Sequence, residues 1–383
     1  MKKIAIVTAT RAEYGLLTPL IRRVAEAEEF ALDLIATGAH FSEKQGYTIK
    51  EIFEDGFPVS HEIPILETDN SPYGVSATMA NALKGFAQCF KDDRPDLVVI
   101  LGDRTEMLGV ASAAMNERIP IAHIHGGEVT EGAVDDCVRH AITKMSYLHF
   151  TAADIYRRRV IQLGEAPERV FNVGSLGTEN ILNTPLIEEK GLRGQVGLSE
   201  APDALVTFHP VTLEEKTAER QAKELCFAMD QMKGFQFLIT KANADAGGDK
   251  VNQIMEEYAE KHKNVKLTDS LGMQRYLSAL KYAAFVLGNS SSGILEAPVM
   301  GTPTVNIGDR QKGRLFAGTV VCCEPDREAV LEAMRKAIAM PHVAAQCFGD
   351  GRTSYKILNI IRKTLEEDSI NLKKGFWDLS FNI

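Results

Sequence analysis

No stretch of the chain approaches the ~18 consecutive apolar residues of a membrane-spanning helix. The apolar run near the start, Ile4 to Val7, is too short for a signal-peptide core and runs straight into the charged Arg11 to Glu13 segment. These absences predict a soluble protein with no membrane partner. Cysteine is sparse: Cys89, Cys137, Cys226, Cys322, Cys323 and Cys347 contain no C-x-x-C pair, and the adjacent Cys322 and Cys323 fit neither a zinc ligand set nor a secreted disulfide framework. A reduced, cytoplasmic compartment is expected, with no metal. Positive charge is in deficit, with 43 Lys and Arg against 52 Asp and Glu, and no long basic run occurs. That argues against a nucleic-acid surface while leaving room for a local basic pocket for a phosphate group. The sequence also lacks G-x-G-x-x-G, so a dinucleotide cofactor is disfavoured and no cofactor is expected.

What is present is an alternation of short apolar runs and helical patterns over 383 residues, a length that favours two domains of ordinary size. Lys3 to Val7, the polar turn TATRAEYG and a helix through Leu16, Leu20, Ile21 and Val24 form the opening unit. Thr8, Thr10, Arg11 and Gly15 suit a phosphate or carboxylate near a helix N-terminus, although a helix cap with a surface arginine reads equally well. The strand Leu32 to Thr37 leads into a stretch, Phe41 to Tyr73, that reads as a short helix and irregular loops. Val98 to Leu101 is a buried strand ending in Gly102, Asp103 and Arg104. Ile119 to Ile124 repeats the arrangement and ends in His125, Gly126, Gly127 and Glu128. In open α/β sheets ligands bind beyond the carboxyl ends of the strands, so charged residues released at that edge mark a site. The helix Asp135 to Met145 follows, carrying Asp135, Asp136, Arg139, His140 and Lys144. Arg139 lies four residues after Asp135, a spacing that could mean no more than a surface ion pair.

The segment Ser175 to Ala201 reads as a hinge and domain entry, dividing the chain into 1–175 and 176–357. Beyond it, strands Ala204 to Phe208, Phe237 to Thr240, Val265 to Thr268, Ala284 to Leu287 and Thr304 to Ile307 alternate with helices. The junction GNSSSGILE places Ser290, Ser291, Ser292 and Gly293 at a helix N-terminus, where backbone N–H groups and hydroxyls can meet a diphosphate. One serine would suffice for a cap. Glu296 lies one turn after Ser292 on the same face and could accept from ribose hydroxyls. His209, Asn243, Asp245 and Arg310 recur at the ends of neighbouring strands. Phosphate chemistry in the second half and carboxylates in the first fit a nucleotide-sugar held in a cleft between them. The amphipathic run Thr353 to Glu366 is the last helix.

These residues resemble the UDP-N-acetylglucosamine 2-epimerase family, in particular its hydrolysing bacterial branch that feeds sialic acid biosynthesis. The likeness extends through TRAEYG, LGDR, HIHGGE, VDDCVRHAITK, FHPVT, NADAG, GNSSSGILE and NIGDRQKGR. It implies an α/β GT-B fold: two Rossmann-like, doubly wound domains facing across a deep cleft, with a C-terminal helix at about 358–383 packing back on the first. It also implies a UDP-sugar as substrate, UDP as product and a homodimer or homotetramer. UDP would meet Ser290 and Ser291 at the diphosphate, Glu296 at the ribose, Asn243 and Asp245 near the nucleotide, and Arg310, Arg11 and Arg104 near phosphate. Asp103, His125, Glu128, Asp135 and His209 would supply acid and base groups. Many family members have a glutamate where this chain has His125. The implied reaction converts UDP-N-acetylglucosamine and water to N-acetylmannosamine and UDP through 2-acetamidoglucal. The same reaction on UDP-N,N'-diacetylbacillosamine, transfer of the sugar by a GT-B glycosyltransferase, and a non-catalytic sugar-nucleotide sensor are the competing readings.

Overall fold

Short apolar runs without alternation, such as LVVIL and IAHI, can bury both faces only in a parallel sheet covered by helices on each side. The protein contains two such sheets. The computed structural model describes residues 1–67, 69, 71–130, 134–210, 217–242, 248–367 and 370–380. These divide into one unit of Met1–Asn180 with Gly349–Ile383, and a second of Ile181–Phe348.

In the first unit the strands are β1 (Lys2–Thr8), β2 (Phe30–Thr37), β3 (His61–Ile63), β4 (Leu97–Leu101), β5 (Ile121–Ile124), β6 (Leu148–Thr151) and β7 (Val170–Asn172). Between them run α1 (Arg11–Glu26), α2 (Ile49–Glu54), α3 (Pro72–Asp92), α4 (Thr105–Asn116), α5 (Val134–Met145) and α6 (Asp154–Gln162). All pairings are parallel in the order β3-β2-β1-β4-β5-β6-β7, so the winding reverses between β1 and β4. The alanine-rich α4 is buried as its composition requires, with Val110, Ala111, Ala113 and Ala114 inaccessible.

Two helices occupy the stretch that reads as a hinge, α7 (Leu176–Asn183) and α8 (Glu189–Val196). The two glycines in EKGLRGQV lower its helix propensity, and packing overrides them. The second unit then holds β8 (Asp203–Thr207), α9 (Ala218–Asp230), β9 (Gln236–Thr240), α10 (Gly248–Lys261), β10 (Val265–Thr268), α11 (Gly272–Tyr282), β11 (Phe285–Gly288), α12 (Ser292–Met300), β12 (Thr304–Ile307), β13 (Val320–Cys323) and α13 (Arg327–Ile338). The order β10-β9-β8-β11-β12-β13 repeats the doubly wound plan, with its reversal between β8 and β11. The sequence reading did not resolve β3, β13 or α13; β3 has only three residues, two of them polar. Among the described residues no helix is long and apolar enough to cross a membrane.

The last helix, α14 (Thr353–Glu366), packs on α1 within the first unit, burying Ile357, Leu358, Ile361 and Leu365. Beyond it the tail is tied to a buried carboxylate. Glu165 accepts from Lys144 at 2.6 Å, Lys374 at 2.9 Å and His149 Nε2 at 3.1 Å, while Trp377 N–H donates to the Gly164 carbonyl at 2.9 Å. Burial alone would raise the Glu165 pKa, but the hydrogen bonds from His149, Lys144 and Lys374 outweigh it and bring the group down to about 2. Its folded value lies below its unfolded one, so the stabilisation is complete above the ordinary glutamate range and is lost as pH falls from there towards 2. Thermal unfolding of Glu165→Gln should show a loss of roughly 3 kcal/mol at pH 7, shrinking as the pH is lowered through that window.

Candidate active site

The two winding reversals are where a doubly wound sheet opens a crevice at its carboxyl edge. In the first unit the reversal is flanked by the β1–α1 turn and by Gly102, Asp103 and Arg104 after β4. Thr10 caps α1, its hydroxyl accepting from Glu13 N–H at 3.2 Å, while Glu13 Oε2 accepts from Ala9 N–H at 3.0 Å. This is a capping box displaced by one residue, with the carboxylate reaching the N–H before the cap, so the hydroxyl of Thr10 has a structural use. Glu13 is near enough to Arg104 and Glu106 to feel both charges. Burial, partly offset by Arg104, pushes its carboxyl up to about 7. Arg11 projects into solvent and meets Glu51 at 3.2 Å; Arg104 donates to Glu106 at 2.6 Å.

Arg139 is not the surface partner of Asp135 that its spacing implies. It is buried, and its guanidinium binds the Asp103 carboxylate, Asp136 at 3.1 Å, the Glu128 carbonyl at 2.8 Å and Thr130 Oγ1 at 3.2 Å. One planar cation thereby fixes the tip of β4, the loop after β5 and the first turn of α5. Asp136 completes the clamp by accepting from Thr130 N–H at 2.9 Å. Asp135 is exposed on α5, near enough to Arg104 to feel its charge.

The β5 strand end is shaped by a histidine pair. His123 is fully buried, with Nε2 2.7 Å from the Gly102 carbonyl and Nδ1 3.1 Å from Thr143 Oγ1. A carbonyl can only accept, so the ring carries its proton on Nε2; burial lowers its pKa to about 3 and keeps it neutral. It therefore props the residue preceding Asp103. His125 adopts a left-handed backbone with φ 67°, a conformation costly for a residue with a Cβ and associated with functional turns. Its Nδ1 stands 3.4 Å from Glu128 Oε1, and its buried Nε2 has no hydrogen-bond partner among the described residues, leaving it available to a reacting group. Gly127, at φ 81°, admits no side chain: a Cβ would lie 2.3 Å from the Tyr156 carbonyl oxygen.

In the second unit the reversal brings His209, after β8, beside the Asn289 to Gly293 turn after β11. Asn289 is the hub. Its side chain accepts from His209 N–H at 2.7 Å and donates to the His209 carbonyl at 2.8 Å, while its own carbonyl accepts from Arg310 at 3.2 Å and Gln311 at 2.9 Å. Gly288 is required by the close approach of β8, since a Cβ would sit 1.9 Å from the Thr207 carbonyl oxygen. No side-chain hydrogen bond caps α12 at Ser291. Ser290 Oγ instead accepts from Ser292 N–H, at 3.4 Å, at the start of the helix. Ser292 donates to Glu296 Oε2 at 2.6 Å and accepts from Tyr276 at 2.7 Å, leaving Ser290 and Ser291 as the hydroxyls beside the helix N-terminus. Burial pushes the Glu296 carboxyl above its ordinary range, opposed by the Ser292 hydroxyl. Such a turn, with the positive end of a helix dipole behind it, is suited to an anionic group. Asn243 and Asp245 lie outside the described residues.

The structure thus gathers Asp103, Arg104, His125, Glu128 and Asp135 around one sheet edge, and His209, Ser290, Ser291, Ser292, Gly293, Glu296 and Arg310 around the other. Sequence reasoning missed His123, Asp136, Asn289, Tyr276 and Gln311. The H-x-H alternation on β5 was a signal for the first and the i,i+3 spacing to Arg139 for the second; the rest act through contacts with no local sequence pattern.

Comparisons with known proteins bear on the family and the fold. Residues 22–362 match the family model described as UDP-N-acetylglucosamine 2-epimerase. The GDP/UDP-N,N'-diacetylbacillosamine 2-epimerase (hydrolyzing) of Campylobacter jejuni is 44% identical over 325 residues, 84% of each chain. The polysialic acid biosynthesis protein P7 of Escherichia coli is 38% identical over 335 residues, 87% of this chain and 85% of that one. Among solved structures, the UDP-GlcNAc 2-epimerase of Neisseria meningitidis bound to UDP-GlcNAc superposes with a TM-score of 0.76 at 17% identity, covering 95% of this chain and 100% of that one. The shared fold is α/β of the GT-B kind.

Proposed function

Because the chain belongs to the UDP-N-acetylglucosamine 2-epimerase family, we propose that it is a hydrolysing 2-epimerase, converting a UDP-linked 2-acetamido sugar and water to the free 2-epimer and UDP. The observation that carries the reading is the Asp103–Arg139 pair at the winding reversal of the first sheet, a carboxylate fixed at the place where a doubly wound sheet receives its ligand.

The chemistry assigns each group a task. A base takes the sugar C2 proton while the C1–O bond breaks, its electron pair leaving with UDP and the C2–H pair forming the C1=C2 bond. Water then adds through oxygen at C1, and a proton returns to C2 from the opposite face. The C2 proton is weakly acidic, so stabilising the departing diphosphate must lead; the Ser290–Ser291 turn, with Arg310 beside it, has the charge and dipole for that task. Two faces need two protonic groups. Asp103 and Asp135 take these roles, with His125, Glu128 and His209 serving the leaving group and the water. Glu296 takes the ribose, and Arg11 and Arg104 are the further cations assigned to phosphate.

The sugar is read as N,N'-diacetylbacillosamine, on the 44% identity to a relative named for that substrate. N-acetylglucosamine is the second reading, favoured by the family description. Incubation with each UDP-sugar in turn, with UDP and free sugar quantified, tests both parts. Stoichiometric UDP and a free 2-epimer from the bacillosamine derivative are expected, at a kcat/KM above that for UDP-N-acetylglucosamine. Accumulation of an epimerised UDP-sugar without free UDP would contradict the hydrolytic reading.

A further inference from the structure

The opposite edge of the first sheet, at the amino ends of its strands, holds a cluster that the reaction does not use. Asp33 lies in the first half of β2, and His61 opens β3 opposite Ile35, which places the two side chains on the same face of the sheet. Asp93, at the C-cap of α3, completes the group. One ligand-type atom from each of the three residues falls within 4.8 Å of the others.

We propose that Asp33, His61 and Asp93 form a binding site for a divalent transition-metal cation, with zinc the best match to one imidazole and two carboxylates. Asp33 is the decisive member. Only 2% of it is exposed, and neither carboxylate oxygen has a partner at hydrogen-bond geometry, although Ser60 lies near enough to favour the charged form in part. A buried carboxylate without hydrogen bonds is costly, and such groups are normally paired or coordinated. His61 relieves it only in part. Its Nε2 stands 3.1 Å from Asp93 Oδ2 and 3.6 Å from Asp33 Oδ1, so a proton there can be shared well with only one of them. Lys3 pairs with Asp93 and makes no hydrogen bond to Asp33. A dication between the imidazole and the two carboxylates would satisfy all three.

Two further observations fit. Burial pushes the Asp33 carboxyl above its ordinary range, the cost that a dication would remove. His61 and Asp93 are partly exposed, which gives the ion an entry path and leaves a coordination position for water. The site would tie β2, β3 and the α3–β4 connection together, distant from the edge carrying Asp103 and His125.

The test is equilibrium dialysis of the chelator-stripped full chain against buffered zinc, with thermal unfolding recorded with and without the metal. About one zinc per chain and an upward shift of the unfolding midpoint are expected. His61→Gln and Asp33→Asn should each weaken binding by at least ~10-fold and abolish the shift. His61 is partly exposed, so His61→Gln tests the site even if Asp33→Asn fails to fold. No zinc bound by the unaltered chain, or equal binding by His61→Gln, would overturn the proposal, the latter by placing the metal elsewhere.

Discussion

Asp103→Asn should lower kcat by roughly 10²- to 10⁴-fold, the range of a lost general acid or base, with little change in UDP affinity. The substitution preserves shape and removes the negative charge and basicity. Arg139 donates to Asp103 through one guanidinium nitrogen and also holds Asp136, Thr130 and the Glu128 carbonyl, so the surrounding loop keeps its anchors when Asp103 becomes neutral. The loss should therefore fall on the chemical step. Titration of UDP and steady-state kinetics on the same preparation separate the two effects; a large fall in UDP affinity with kcat preserved would move Asp103 from chemistry to binding.

Arg139→Met is the second large effect, and it should act on both stability and turnover. Methionine matches much of the aliphatic volume but leaves Asp103 and Asp136 as carboxylates without their cation, and the Glu128 carbonyl without its donor. Breaking a buried ion pair costs about 3–5 kcal/mol. Asp103 and Asp136 are each 27% exposed at the side chain and regain some water, so the lower end applies. The catalytic loss should approach that of Asp103→Asn, because the loop that presents Glu128 and the tip of β4 lose their common anchor. Arg139→Lys should recover part of the stability and little of the rate, since an ammonium cannot reproduce the planar fork that reaches four partners. Unfolding midpoints measured beside kcat distinguish this account from a simple surface ion pair, for which Arg139→Met would be nearly silent.

The contrast over Arg139 shows what was legible in the sequence. Strand ends were, because unbroken apolar runs such as Leu97–Leu101 and Thr304–Ile307 must be buried and their polar termini must face the sheet edge. The strand-to-helix turn at Gly288–Gly293 was legible too, since clustered glycine and serine break a strand and open a helix. Side-chain partners across elements were not. Arg139 and Asp135 sit at a spacing that pairs on an isolated helix, yet the half-buried Asp103, 36 residues away in sequence, wins the guanidinium. Asn289 was only one letter of the GNSSSGILE junction, and its hub role depends on His209, 80 residues earlier. His125 drew notice as an imidazole where relatives often carry a glutamate; its left-handed backbone and unpartnered Nε2 are tertiary facts that no spacing encodes.

The central claim is that the protein breaks and remakes the C2–H bond of its sugar while releasing UDP. Turnover in heavy water, followed by mass spectrometry and proton magnetic resonance of the free sugar, tests it directly. The account predicts one deuterium at C2 of the inverted product, with one UDP released per sugar. Product that retains its original hydrogen at C2 would contradict it.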